Sequence, residues 1–125
     1  MKLDVINTNR SYLFGRLLAV FEKIERSSYA DEGREPNAIR LQAAFVNHPM
    51  QTWKTMDQIL LPYFQKLKPG SREYYRRMIS DITGLFREED AGRMNQPLQE
   101  DYLLGYFLQR GELNKKSDSE TKEEE

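Results

Sequence analysis

Cysteine is absent and histidine occurs once, at His48. Without thiols the chain can form neither a disulfide nor a thiolate metal site, which fits a reducing cytosol. A lone histidine wedged between Asn47 and Pro49 has no second imidazole to share a metal with, and it reads as a capping or surface residue at a helix end. No apolar run approaches the ~20 residues that span a bilayer. The first ten residues are polar and lack the apolar centre of a signal peptide. The expected setting is therefore the cytoplasm, with no membrane partner. There is no glycine-rich phosphate loop. The carboxylates stand among basic neighbours, as in Glu22-Lys23-Ile24-Glu25-Arg26, the usual pattern of a solvated helix face. No nucleophile with its base, metal cluster or phosphate cradle can be picked out. Neither catalysis nor a cofactor is expected.

No segment alternates as a strand does, and no internal repeat is found. What is present is helical periodicity. Arg10 to Ser27 carries Leu13, Leu17, Val20, Phe21 and Ile24 at helical spacing, with Arg16, Glu22, Lys23 and Arg26 opposite. Asn9 or Ser11 can cap it. Ser28 to Pro36 reads as a loop. Asn37 caps a short second helix that ends before Pro49. A third helix from Met50 places Trp53, Met56, Leu60, Phe64 and Leu67 on one face, and Pro62 is expected to kink or shorten it. After the Pro69-Gly70 break, Ser71 caps a fourth helix lined by Tyr75, Met78, Ile79, Ile82, Leu85 and Phe86. Arg87 to Gln96 is a polar loop.

The fifth helix, Pro97 to Asn114, differs from the others. Leu98, Tyr102, Leu103, Leu104, Tyr106, Phe107 and Leu108 point in every direction around it. A helix apolar all round must be covered on most sides. It is expected to run through the middle of a bundle or to be covered by a partner as well. Gly105 costs about 1 kcal/mol against alanine in a helix, which a close helix–helix approach would explain. The expected fold is all-α: a compact bundle of about five helices over residues 1–114, with a disordered acidic tail at 115–125.

The net charge of −1 conceals a division. The tail carries three lysines and five acids, a net of −2. Met50 to Arg87 holds seven basic residues against three acids, a net of +4. A polyanion responds to such local charge. Arg72, Arg76, Ser80, Thr83 and Arg87 recur every three or four residues along one flank of the fourth helix, with Arg77 beside them and Lys66 and Lys68 just before. Such an edge can follow a phosphate backbone without reading bases. Arg16 and Lys23 on the first helix are further candidates, and for Arg16 a structural ion pair is the alternative role. The same edge can also be an ordinary solvated face, or can meet an acidic protein in a helical scaffold with no nucleic-acid role.

Two stretches carry a resemblance. Ser11 to Glu25, SYLFGRLLAVFEKIE, resembles the YLLGRLFAVLEKIQ signature in the C-terminal region of the large subunit of the type I-C CRISPR Cascade. Leu98 to Arg110, LQEDYLLGYFLQR, resembles the closing signature of that region: Gly105, Tyr106, Gln109 and Arg110 fit, while Tyr102 stands at a Phe-like position. Ala43 to Phe64 is similar to a P-x-x-x-F-x-x-L helix between them, with Pro49 and Trp53 in place. The resemblance implies a helical bundle produced as a separate small subunit. It implies copies lining the belly of the surveillance complex, in contact with one another, with the backbone-forming subunits and with the large subunit. It also implies a role in holding target or displaced DNA during R-loop formation, the crRNA being involved only indirectly.

Overall fold

The computed structural model describes residues 1–29 and 35–124, with side chains at 1–28 and 35–115. Six α-helices follow in order: α1 (Arg10–Tyr29), α2 (Asn37–Arg40), α3 (Gln42–Asn47), α4 (Pro49–Lys66), α5 (Pro69–Thr83) and α6 (Asp101–Glu124), with a 3₁₀ helix (Glu88–Arg93) between the last two. No strand occurs among the described residues. The all-α fold is as expected, but the centre is not. The bundle is built around α1, which packs against α2, α4, α5 and α6. Its twelve residues from Arg10 to Phe21 are all buried.

Those buried residues include polar ones, and each of them ties α1 to the chain before or within α6. Arg10 donates from Nη1 to the Gln96 carbonyl (2.8 Å) and from Nη2 to the Pro97 carbonyl (3.0 Å). Ser11 Oγ accepts from the Gln99 amide (2.9 Å). Arg16 Nε donates to Gln109 Oε1 (2.8 Å). Buried polar groups persist where they are hydrogen-bonded, and here they set the register of α6 on α1. Asn9 caps α1, its Oδ1 accepting from the Tyr12 amide (3.0 Å).

The α1–α6 pair approaches backbone to backbone at two glycines. A Cβ at Gly15 would overlap the Tyr102 carbonyl, and a Cβ at Gly105 would overlap the Tyr12 carbonyl. The close approach expected at Gly105 is therefore present, with Gly15 as its counterpart. Of the two alternatives for Pro97 to Asn114, the run through the middle is overturned. Leu103, Leu104 and Phe107 are 41%, 42% and 57% exposed, so α6 covers α1 with one side and turns an apolar side outward.

Other boundaries shift for local reasons. The second helix divides into α2 and α3 at Leu41, and Asn37 is its first helical residue rather than its cap. α4 runs four residues past Pro62, whose ring is exposed near the helix end. α5 begins at Pro69, not after a Ser71 cap: proline at the first helical position loses a donor that has no partner there anyway. Most of the expected loop at 28–36 lies outside the described residues. The expected disordered tail at 115–125 falls largely on residues whose side chains lie outside the described ones, while the α6 backbone is helical to Glu124.

Candidate nucleic-acid interface

The basic edge is built where α4 turns into α5. Leu67 and Lys68 are both extended, with ψ of 153° and 148°, so the chain reverses over two residues and α5 starts at once on Pro69. Lys66 and Lys68 are exposed at this turn. Arg72, one turn into α5, is half-buried. Its Nε donates to the Phe64 carbonyl (2.9 Å) and its Nη2 to the Leu67 carbonyl (3.3 Å). Helix side chains lean toward the N-terminus, which carries this guanidinium back onto the end of α4. There it hydrogen-bonds carbonyls at the helix end and meets the negative end of the helix dipole.

One turn further, the Arg76 guanidinium sits 5.0 Å from the centroid of the buried Phe64 ring. Stacking on an aromatic face leaves the in-plane N–H donors aimed at solvent. Arg77 pairs with Glu73 at 2.9 Å, both side chains more than 70% exposed. An exposed i,i+4 pair is worth only about 0.3–0.5 kcal/mol, so a phosphate can displace it. Lys66, Lys68, Arg76 and Arg77 thus stand at the surface of the α4–α5 turn and of α5, and Arg72 anchors the turn.

The remaining candidates are placed differently. Arg16 is only 6% exposed, away from the α4–α5 turn. It lies between α1 and α6 on Gln109, the structural alternative realised with an amide in place of an acid. Lys23 is half-buried on α1. Arg87 lies beyond the end of α5 and is ion-paired to Asp90 (3.3 Å) and Glu89 (3.4 Å).

A family model for CRISPR-associated proteins, Cas_Csd1, matches residues 1–114. The chain belongs to the Cas_Csd1 family. No curated protein matches it. The Cas_Csd1 match runs from the lead-in through α1 to α5 and into α6 as far as Asn114. It includes both Ser11 to Glu25 and Leu98 to Arg110, the stretches that meet across Gly15 and Gly105.

This Cas_Csd1 chain also has a basic cluster that helical periodicity missed, because it is assembled from the start of α1 and the 3₁₀ segment some eighty residues later. Arg10, Arg87 and Arg93 line a small polar cavity of about 200 Å³ at the start of α1. Asp90, fully buried, lies between Arg87 and Arg93 and is hydrogen-bonded to both. The arginines are spent internally: Arg10 on two carbonyls, Arg87 and Arg93 on Asp90. The Arg93 hydrogen bond holds the Asp90 carboxyl below its ordinary range, against the opposing effect of burial. A carboxyl whose folded pKa is depressed stabilises the fold above its unfolded pKa, and that contribution is lost as pH falls. In thermal melts against pH, wild type is expected to lose stability below about pH 4 more steeply than Asp90→Asn, with the two curves converging in acid. Parallel curves would remove Asp90 from the acid limb.

No helix among the described residues is long and apolar enough to cross a membrane.

Proposed function

We propose that this chain is the non-catalytic small subunit of a type I-C Cascade, lining the belly of the surveillance complex and steadying target DNA in the R-loop through sequence-independent phosphate contacts. The observation that carries the reading is a set of surface cations, Lys66 and Lys68 at the α4–α5 turn and Arg76 and Arg77 two helical turns along α5, within a chain of the Cas_Csd1 family. Guide pairing reads sequence, and strand exchange is close to balanced in energy. Cations offered to a phosphate backbone tip that balance without reading bases. Arg72 serves by holding the turn, and Arg16 by holding α6. The outward Leu103, Leu104 and Phe107 give the subunit an apolar side to set against neighbouring copies, the backbone subunits or the large subunit.

The inventory of side chains favours a binding role over catalysis. The chain has no cysteine and one histidine, and no group of three metal-ligating side chains gathers among the described residues.

Filter binding of assembled complexes at several salt concentrations tests the reading. Replacing Lys66, Lys68, Arg76 and Arg77 together with alanine is expected to weaken DNA binding. It should also flatten the log–log salt slope by about 3, at roughly 0.7–0.9 for each phosphate no longer neutralised. Unchanged affinity and slope would favour the second reading, a protein–protein scaffold with no nucleic-acid role.

A further inference from the structure

Arg16 has one donor that the fold does not use. Its Nε is held by Gln109, but Nη1 is buried with no hydrogen-bond partner among the described residues. Burial, the largest effect on this guanidinium, lowers its proton affinity; Tyr12, Asp4 and Asp81 act the other way, yet neither acid is ion-paired to it. A buried charged donor without an acceptor costs more than almost any other unsatisfied group, so the missing acceptor is itself informative.

The residue borders open space. A groove of about 520 Å³ lies between the lead-in, α5 and α6, with Arg16 and Gln109 in its lining. Leu3, Val5, Met78 and Leu113 make its apolar walls. Lys2, Glu112 and Lys115 also line it, Lys115 being ion-paired to Glu112 (3.7 Å). A second depression of about 430 Å³ shares Val5, Arg16 and Met78 with it and reaches Arg77 and Asp81. Arg16 is thus the one charged residue common to both lobes of a mainly apolar groove.

We propose that this groove receives an acidic side chain of a protein partner, its carboxylate accepting from Arg16 Nη1 and the apolar residues beside it packing on Val5, Met78 and Leu113. A planar guanidinium already oriented by Gln109 is preorganised for a carboxylate. The apolar walls argue against a nucleic-acid strand, whose phosphates are met by a row of cations. The site shares Arg77 with the DNA edge but takes its carboxylate contact from Arg16, so the two can fail or succeed separately.

The test titrates the full chain with the capped peptide Ac-Leu-Glu-Leu-NH2, following the Arg16 Nε–H resonance by NMR. The Gln analogue and inorganic phosphate serve as comparisons. Expected is a saturable shift with the Glu peptide, at least tenfold weaker with the Gln analogue and absent with phosphate. Arg16→Gln should abolish it. If that variant does not fold, Val5→Glu decides: Val5 is 61% exposed, so its replacement leaves the core intact while setting a carboxylate in the groove, and peptide binding should be lost. Equal binding of the Glu and Gln peptides, a phosphate that competes, or undiminished binding by Val5→Glu would overturn the proposal.

Discussion

Alanine at Gly15 is expected to destabilise the bundle by about 2 kcal/mol or more, and alanine at Gly105 by a similar amount. In a helix the substitution should gain up to about 1 kcal/mol, since glycine is the poorest ordinary helix former. Here that gain is outweighed. The new methyl at position 15 would fall on the Tyr102 carbonyl, and that at position 105 on the Tyr12 carbonyl. Both obstacles are backbone, so no rotamer change relieves them. α6 has to lift from α1, and overpacking of this kind costs about 1–3 kcal/mol even where side chains can adjust. Lifting α6 also loosens the hydrogen bonds that Arg10, Ser11 and Arg16 make to residues 96–109. Thermal melts should fall by roughly 8 °C or more for each variant. Gly111, on the same helix, is the control: nothing lies within 4 Å of a Cβ there. Gly111→Ala should be neutral or stabilising by up to about 1 kcal/mol. If Gly15→Ala melted with wild type, the helices would not be in backbone contact.

The contrast among these glycines shows what the sequence made legible and what it did not. Gly105 stood out because it interrupts an apolar helix, and its purpose followed from propensity alone. Gly15 has the same role but sits in a helix whose pattern was already explained, so nothing drew attention to it. The helix types and most of the apolar core were likewise readable: Leu13, Leu17, Phe21, Ile24, Met56, Leu60 and Ile82 are all buried. The centre of the bundle was legible only in part. Tyr12, Phe14, Leu18 and Ala19 make α1 apolar around its circumference too, and a reading of α1 as the single stripe Leu13, Leu17, Val20, Phe21 and Ile24 passes over them. Burial of α1 on all sides depends on polar side chains finding partners more than eighty residues away, as Arg10 and Arg16 do. No local pattern encodes that. The basic edge was half legible for a related reason. A helical wheel gives the flank on which Arg72 and Arg76 lie but not what precedes the helix. The two-residue turn places the end of α4 beneath Arg72 and the Phe64 ring beneath Arg76, turning one cation into an anchor and leaving the other at the surface.

The second large effect is expected at Glu25. Pro36 stands at the N-cap of α2 and offers no side-chain acceptor, so the first amides of that helix need one from elsewhere. Glu25, reaching across from α1 and only 6% exposed, supplies it: Oε2 accepts from the Asn37 amide (2.8 Å) and Oε1 from the Ala38 amide (3.0 Å). The Tyr63 hydroxyl on α4 donates to Oε2 (3.0 Å) and accepts from Asn37 Nδ2 (2.6 Å). One carboxylate therefore joins α1, α2 and α4 and sits at the positive end of a helix too short to form alone. Glu25→Ala removes all three acceptor contacts and leaves the buried Ala38 amide without a partner. Hydrogen bonds to a charged group are worth about 1.5–3 kcal/mol each but are not additive, so a loss of about 3 kcal/mol in urea unfolding is expected. Glu25→Gln should lose less, because its oxygen still accepts while its amide faces two donors. Tyr63→Phe should cost about 1 kcal/mol, and the double variant should show less than the sum of the single losses, since both act on the same carboxylate. Amide exchange at Asn37 and Ala38 should quicken in Glu25→Ala before the rest of the bundle responds. A Glu25→Ala protein within about 0.5 kcal/mol of wild type would mean that α2 is held by Phe45 and its apolar neighbours instead, and that the carboxylate is incidental.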